Sequence, residues 1–444
     1  MTYANIKQQD PDVYAILQKE LKRQQDGLMM IPSENYASEA VLEAAGTVLT
    51  NKYAEGYPRK RYYTGNQYID EIEQLAIDRA KKLFGAEHVN VQPHSGSGAN
   101  MECYAAVLDP GDTILGMRLD QGGHLTHGSP VNFSGKTYTF IHYGVRRDTE
   151  RIDMDEVREI AIREKPKLVL SGITAYPRSV DFDAFAKIAA EINAYAMADI
   201  SHIVGLCLAG VHQNPVPTHD IVMTTTTKTL RGPRSAIILC KKEDRVLKKR
   251  DIASGFDLSS LDEKERALRY DLAAKIDKIV FPGMQGGPLE HIIAAKAVAF
   301  AEALKPEFLE YQRQIAKNAK ILAETLLSEN LRLVSGGTDN HLMIIDCTKL
   351  GISGKQGANA LAECGIYTNF NMIPFDPRTP FDPSGIRLGT PGLTSRGMKE
   401  GEMKTIGELI ANILKNTGNI TVTQKTANKV IELTKQFPIY EELM

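Results

Sequence analysis

The chain of 444 residues contains no tryptophan and only five cysteines. Cys103, Cys207, Cys240, Cys347 and Cys364 are odd in number, widely scattered, and include no CxxC pair. Neither a disulfide framework nor a zinc knuckle is expected, and a reducing compartment is the simple reading. No stretch approaches about 18 apolar residues free of charge, so no transmembrane helix is expected. An excess of one charge is also missing: 53 basic against 55 acidic residues leave a net −2. That balance gives no bulk attraction to nucleic acid or to an anionic membrane, and neither is expected as a partner. The N-terminus has neither the apolar core of a secretory signal nor the basic amphipathic pattern of an organellar one, so the expected location is cytoplasmic. Internal repeats and low-complexity tails are absent. What is present is an ordinary soluble composition, 43% hydrophobic and 24% charged. The length exceeds one comfortable core, so two or three domains are expected.

Asp10-Pro11 predicts a capped helix running to about Gln25 and stopping at Gly27. A second helix is expected from Ser38 to about Leu49. Residues 51–68 then carry five tyrosines among basic residues and glycines, a composition suited to a binding loop. From about 70 to 290 short apolar runs alternate with helical segments, the α/β signature. The predicted strands are Thr113–Met117, Leu168–Ser171, Ala194–Ala198, Ile221–Met223 and Ala236–Leu239. Helices are predicted over Met154–Arg163 and Asp181–Ile192. The charged stretch 241–278 reads as a solvated helical excursion. A helix-rich segment at 289–328, strands at Leu333-Val334, His341–Asp346 and Ile386–Leu388, and helices at 396–414 and 422–436 complete a smaller α+β domain. The division drawn is an N-terminal helical arm and dimer-interface segment over 1–60, a large α/β domain over 61–289, and a small domain over 290–444.

The most unusual segment runs from Asp220 to Arg234, where a strand leads into four threonines, Lys228 and a Gly-Pro turn. Clustered hydroxyls and turn amides can hold a phosphate, and a lysine beside them can form an imine with an aldehyde. Asp199 ends another strand, at the edge where α/β folds place ligands. A carboxylate there can keep a pyridine nitrogen protonated, so that the ring accepts electrons. Taken alone, Asp199 reads as readily as a cap for the helix that follows, and His202 as a cap or a ring contact. Residues 93–100 place small residues at a helix N-terminus, where free amides face an anion. His124 and His127 lie in a glycine-flanked loop, where one can stack on a ring or both can close a turn. They lack a carboxylate or thiolate at metal-ligand spacing, so no metal is expected. The combination points to pyridoxal 5'-phosphate (PLP) held by Lys228 and Asp199.

The whole chain, from about residue 5 to 440, resembles the serine hydroxymethyltransferase family. The resemblance rests on SENY (33–36), NKYAEGYP (51–58), KRYY (60–63), QPHSGS (92–97), GGHLTHGSPVNFSGK (122–136), KTLRGPR (228–234), FPGMQGGP (281–288), GGTDNH (336–341) and SGIRLGTP (384–391). It implies a fold-type I, aspartate aminotransferase-like architecture: a mostly parallel seven-stranded sheet in the large domain and a smaller C-terminal α+β domain. The implied reaction converts L-serine and tetrahydrofolate reversibly to glycine and 5,10-methylenetetrahydrofolate. A homodimer with shared active sites is implied, in many members paired into tetramers. Lys228 matches the Schiff-base lysine and Asp199 the partner of the pyridine nitrogen. His124 matches the residue stacked on the ring, and His202 the one at its phenolic side. Ser97, Gly98 and Thr225 match phosphate and cofactor contacts, with Thr174 near the ring. Tyr53, Gly286 and Gly287 are implied to reach the phosphate from the neighbouring subunit. Arg387 and Ser33 match the grip on the substrate carboxylate, with Arg234 also on the substrate side. Glu55, likewise from the neighbour, matches the glutamate that handles the proton, and Tyr63 a group beside the reacting carbon. Leu119, Gly123, Leu125 and Asn371 match the folate side.

The pattern is broken in places. Thr227 stands where the family has a histidine before its lysine. Arg59, Thr64 and Ser235 stand where glycines are usual, Gly98 replaces a frequent glutamine, and Thr174 a serine. Thr227 packs less volume than histidine and cannot be charged. One reading is tolerated drift within hydroxymethyl transfer. Another is altered specificity, as an α-methylserine hydroxymethyltransferase or a threonine or allo-threonine aldolase. A non-catalytic or RNA-binding role is a remoter alternative, opposed by the near-neutral charge and the intact Lys228, Asp199 and Arg387.

Overall fold

Runs such as Leu168–Gly172 and Ala236–Cys240 are buried at every position, as strands covered on both faces must be. In the computed structural model, which describes residues 3–443, they belong to a seven-stranded sheet. Its order is His88–Asn90, Ala236–Cys240, Ile221–Thr225, Tyr195–Asp199, Leu168–Gly172, Thr113–Met117, Thr139–Tyr143. The last five are mutually parallel, whereas Ala236–Cys240 runs antiparallel to both of its neighbours. The sheet is the core of the larger of two compact units, residues 40–174 with 179–309. The helices Gly96–Val107 and Phe182–Glu191 pack on its strands.

The five predicted strands of this sheet are present, each within two residues of the expected ends. Two edge strands escaped the pattern: His88–Asn90 is three residues long, and Thr139–Tyr143 is fully buried only at Tyr143. Edge strands carry polar residues that mask the apolar signal. The helix expected over 38–49 is a correction. It ends at Ala45 and gives way to a 3-10 turn over Val48–Asn51. Gly46 is a poor helix former, and Thr47 is extended, with φ −85° and ψ 168°. The solvated excursion over 241–278 also needs correcting. The helices Arg245–Ser254 and Glu263–Arg269 fit that reading, the second closed by an Asp262/Glu265 capping box. Leu272–Lys278, however, buries Leu272, Ala273 and Ile276 and packs against Gly96–Val107.

Among the described residues the smaller unit comprises 3–39, 175–178 and 310–443. Its antiparallel sheet orders Arg332–Leu333, Leu342–Asp346, Gly385–Gly389 and Asn369–Asn371. The first long helix runs Pro11–Asp26 as predicted, with Asp10 Oδ1 accepting the Val13 amide at 3.0 Å. The chain then adds Leu28–Met29 as a parallel strand beside Ile366–Tyr367. Arg396 fixes this junction by donating to the carbonyls of Gln24, Gln25, Gly27, Thr434 and Phe437.

These unit boundaries differ from those drawn at 60 and 289. Residues 3–39 pack with the C-terminal helices, and the helix Glu290–Ala303 stays with the large sheet because nine of its residues are buried there.

Candidate active site

Parallel strands present their C-terminal ends to one edge of the sheet, and Asp199 closes Tyr195–Asp199 there, 5% exposed. Its Oδ2 accepts from Asn100 Nδ2 at 3.0 Å and faces His127 Nε2 at 3.3 Å, while Oδ1 accepts the Ser201 amide at 3.1 Å. The His124 amide donates to His127 Nδ1 at 3.2 Å, which leaves Nε2 as the nitrogen carrying the proton toward Asp199. Burial alone would push the Asp199 carboxyl up. The hydrogen bond from His127, joined by His124 and Ser201, outweighs that and holds it well below the usual carboxylate range. Gly172 permits the arrangement, since a Cβ there would lie 2.7 Å from His127 Cε1 and 3.0 Å from Asp199 Cβ.

Thr126 extends the network. Its hydroxyl receives Asn100 Nδ2 at 2.8 Å and lies 2.7 Å from His124 Nδ1, and its carbonyl accepts the buried Tyr104 hydroxyl at 3.0 Å. His124 is half-buried, with its ring 5.7 Å from that of His127. Beside it Leu119 and Leu125 are 45% and 48% exposed, an apolar surface at the edge of the turn. Gly123 shapes this turn, because a Cβ there would collide with the Met117 carbonyl at 2.3 Å. The Thr174 amide ties back to the Gly122 carbonyl at 2.8 Å.

The strand Ile221–Thr225 delivers the threonine loop. The Thr225 amide donates to Ser201 Oγ at 3.1 Å, and Thr225 Oγ1 receives Lys228 Nζ at 3.3 Å. A chain of neighbours therefore runs from Asp199 through Ser201 and Thr225 to Lys228. Lys228 has φ +45°, a left-handed conformation uncommon for a side-chain-bearing residue. Thr226 braces the loop by donating from Oγ1 to the Pro233 carbonyl at 2.6 Å and accepting the Gly232 amide at 2.7 Å. Thr229 bridges the His202 carbonyl and the Gly205 amide. His202 is buried, Thr227 half-buried and Arg234 exposed. Ser95 caps the helix Gly96–Val107 by accepting the Gly98 amide at 3.2 Å, and Ser97 stands exposed on its first turn.

A second cluster of expected residues gathers elsewhere in this unit. Tyr63 Oη donates to Glu55 Oε2 at 3.4 Å, and the Tyr53 and Tyr63 rings meet edge to face at 5.6 Å. Gly286 and Gly287 lie against them: a Cβ on Gly287 would stand 3.2 Å from the Tyr53 ring, and one on Gly286 3.5 Å from Glu55 Oε1. Partial desolvation, then the neighbouring Glu55, pushes the Tyr63 phenol up. In the smaller unit Arg387 is buried, its Nε donating to Asn369 Oδ1 at 3.0 Å. Burial lowers its guanidinium to about 10, so it stays charged near neutrality. Ser33 is half-buried, and Asn371 Nδ2 donates to the Met372 carbonyl at 2.6 Å.

Asn100, Thr126 and Ser201 were not predicted as site residues, and His127 was weighed only as a ring-stacking or turn-closing histidine. The available signals were an asparagine among small and apolar residues of the Gly96–Val107 helix and a second histidine three residues after His124. The residues present suit PLP. A buried carboxylate held anionic fits a protonated ring nitrogen, and its Oδ1 retains a lone pair for one more donor. Lys228 and the hydroxyls of Ser97 and Thr225 fit an aldehyde and a phosphate.

The family model described as serine hydroxymethyltransferase matches residues 6–410. A protein of that name from Rippkaea orientalis (strain PCC 8801 / RF-1) is 53% identical over 433 residues, covering 98% of this chain and 96% of that protein.

Proposed function

The chain belongs to the serine hydroxymethyltransferase family, and from that premise we propose which of its residues carry the reaction. The activity is the PLP-dependent, reversible interconversion of serine and glycine with tetrahydrofolate as co-substrate. When bound, PLP supplies an electron-accepting ring that stabilises negative charge on the substrate carbon. Asp199 keeps the ring nitrogen protonated, and Lys228 is the covalent anchor of the cofactor aldehyde. His124 covers the ring face, with His202 and Thr174 near its rim. Ser97, Gly98 and Thr225 hold the phosphate.

Arg387, helped by Ser33 and Arg234, grips the substrate carboxylate, where a guanidinium offers a two-pronged fork. Glu55 moves the proton at the serine hydroxyl or folate step, with Tyr63 beside it. Leu119, Gly123, Leu125 and Asn371 form the folate side, and Thr227 keeps the place next to the lysine without a titratable ring. The grouping of Tyr53, Glu55, Tyr63, Gly286 and Gly287 supports their being offered together to a neighbouring subunit. A homodimer, or a pair of dimers, is the proposed assembly, and residues 1–60 are its proposed interface arm. Exposed Ile16 (63%), Val48 (80%) and Tyr53 (59%) support that arm. A cytoplasmic site of action is proposed, with no nucleic-acid partner. No helix among the described residues is long and apolar enough to cross a membrane. The family match and the relative both carry the hydroxymethyltransferase description, and neither supports the aldolase alternative.

The observation that carries the proposed roles is the buried Asp199 anion, linked through Ser201 and Thr225 to Lys228. The test is a serine turnover assay of the wild type and Asp199→Ala, with and without tetrahydrofolate, alongside PLP absorbance. Folate-dependent turnover in the wild type and its loss in a variant that still takes up PLP are expected. Unchanged turnover in Asp199→Ala would refute the assignment.

A further inference from the structure

Lys296 lies in the helix Glu290–Ala303 and is among the largest fully buried side chains of the chain. Its Nζ donates to the backbone carbonyls of Val91 at 2.6 Å, Pro93 at 3.2 Å and Ala236 at 2.9 Å. An ammonium has three N–H groups, so all of them are used on backbone oxygens. Burying such a charge is unfavourable unless it is fully hydrogen-bonded, and an apolar side chain would fill the same space without that penalty. The lysine is therefore explained by what it binds.

Two of its carbonyls belong to residues 91–94, which lead from the strand His88–Asn90 into the Ser95-capped turn bearing Ser97 and Gly98. The third opens the strand Ala236–Cys240, directly after the Gly232–Ser235 segment that braces Thr226 in the Lys228 loop. Ser235 reinforces the junction by donating from Oγ to the Pro93 carbonyl at 2.9 Å. The same helix supports the loop sterically, since a Cβ on Gly232 would stand 3.0 Å from Ala299 Cβ. Burial pulls its ammonium down to about 7, and Glu102 on the helix Gly96–Val107, Glu73 on the helix Gln67–Phe84 and Glu290 on its own helix act against that fall.

We infer that Lys296 is a positioning residue, a buried ammonium that fastens the anion-binding turn at Ser95–Gly98 to the loop bearing Lys228. This rests on the reading that Ser97 and Gly98 meet the cofactor phosphate. Lys296 touches neither cofactor nor substrate; it acts through the backbone that carries those residues. Losing it relaxes the phosphate grip more than the ring site, because Asp199 and His127 are held by separate bonds from Asn100, Ser201 and His124.

The test compares PLP with pyridoxal, which has the same ring and aldehyde but no phosphate. The full-length protein, stripped of cofactor, is titrated with each by absorbance, as wild type, Lys296→Met, Ser235→Ala and Ser97→Ala. In Lys296→Met the dissociation constant of PLP is expected to rise about tenfold or more, the scale of a lost hydrogen bond to a charged group. That of pyridoxal should change by less than about threefold, so the preference for the phosphate collapses. Ser235→Ala should move the same ratio by a smaller factor. Equal weakening of both ligands in Lys296→Met would show a merely structural role and overturn the inference. An unchanged ratio would overturn it too, and if Lys296→Met does not fold, an unchanged ratio in Ser235→Ala decides against it. Ser97→Ala separates the two levels. An unchanged ratio there refutes the phosphate reading of the turn, whereas a lowered ratio with no effect at Lys296 or Ser235 refutes the inference alone.

Discussion

Asp199 and Glu55 are carboxylates of the same large unit assigned to the same reaction, and they are held in opposite ways. Asp199 is buried and takes bonds from a histidine, an asparagine and a backbone amide, each fixed by further partners. Glu55 is half-buried, its carboxylate bonded at 3.4 Å by a tyrosine that is itself 45% exposed. The contrast is one of organisation before binding. The Asp199 group is held by partners from its own chain. The Tyr53–Glu55–Tyr63 group is a surface that becomes enclosed only when something covers it. A permanent anion belongs in the first setting. The second setting suits a carboxylate proposed to act on the substrate once a covering surface excludes water.

The comparison breaks most sharply at the lysine. Lys228→Ala should lower serine turnover by about a thousandfold or more, since the proposed covalent anchor is removed outright. Steady-state kinetics at saturating PLP measures it, and retention of a tenth of the activity would contradict the assignment. Glu55→Gln should lower turnover by about a hundredfold or more, the usual contribution of a positioned acid or base. Here PLP absorbance should stay at its wild-type value, because the Asp199 group is untouched. A variant that loses cofactor along with activity would erase the distinction between the two regions.

His127→Phe is the milder probe of the buried group. It removes one donor from Asp199, so that carboxyl should rise from its depressed value, and turnover should fall about tenfold. Asp199 lies below the usual carboxylate range, so the stability it contributes is present above its unfolded value and is lost only as pH falls toward its folded one. The wild-type activity profile should accordingly show no step from Asp199 between about pH 5 and 9, as a pH–rate series would reveal.

The smallest effect concerns a carboxylate in neither group. Glu290 is buried, neither of its oxygens has a hydrogen bond among the described residues, and burial followed by Glu73 pushes it up to about 8. A raised carboxyl binds its proton more tightly in the folded state, so stability falls as pH rises from the unfolded value near 4.5 through the folded one. Glu290→Gln should therefore raise Tm at pH 8 and leave it nearly unchanged at pH 5. Equal shifts at both would show that protonation is not involved.

The sequence made some of this legible and hid the rest for physical reasons. Asp199 was readable because it closes an apolar run, and Lys228 because it follows one through four threonines; strand ends are where α/β sheets bind ligands. Their supports were not. His127 and Asn100 lie 72 and 99 residues from Asp199, and only the fold brings them to it. The edge strands His88–Asn90 and Thr139–Tyr143 lacked a strong apolar pattern because sheet edges need not have one. Lys296 gives no local sign of burial, since its partners are backbone carbonyls that carry no side-chain signature. The paired grouping of Tyr53 and Glu55 with Gly286 and Gly287 came from the family resemblance; spacing alone gave no reason to join residues so far apart.

Whether the Tyr53–Glu55–Tyr63 group serves the Asp199–Lys228 group of another chain can be measured by mixing two inactive variants, Lys228→Ala and Glu55→Gln, under conditions that exchange subunits. If each site takes Lys228 from one chain and Glu55 from its partner, half of the molecules become hybrids, each with one intact site of two. Activity should then return to about a quarter of the wild-type value. If the two groups act within one chain, every site in every hybrid stays defective, and the mixture will show no activity beyond that of the separate variants.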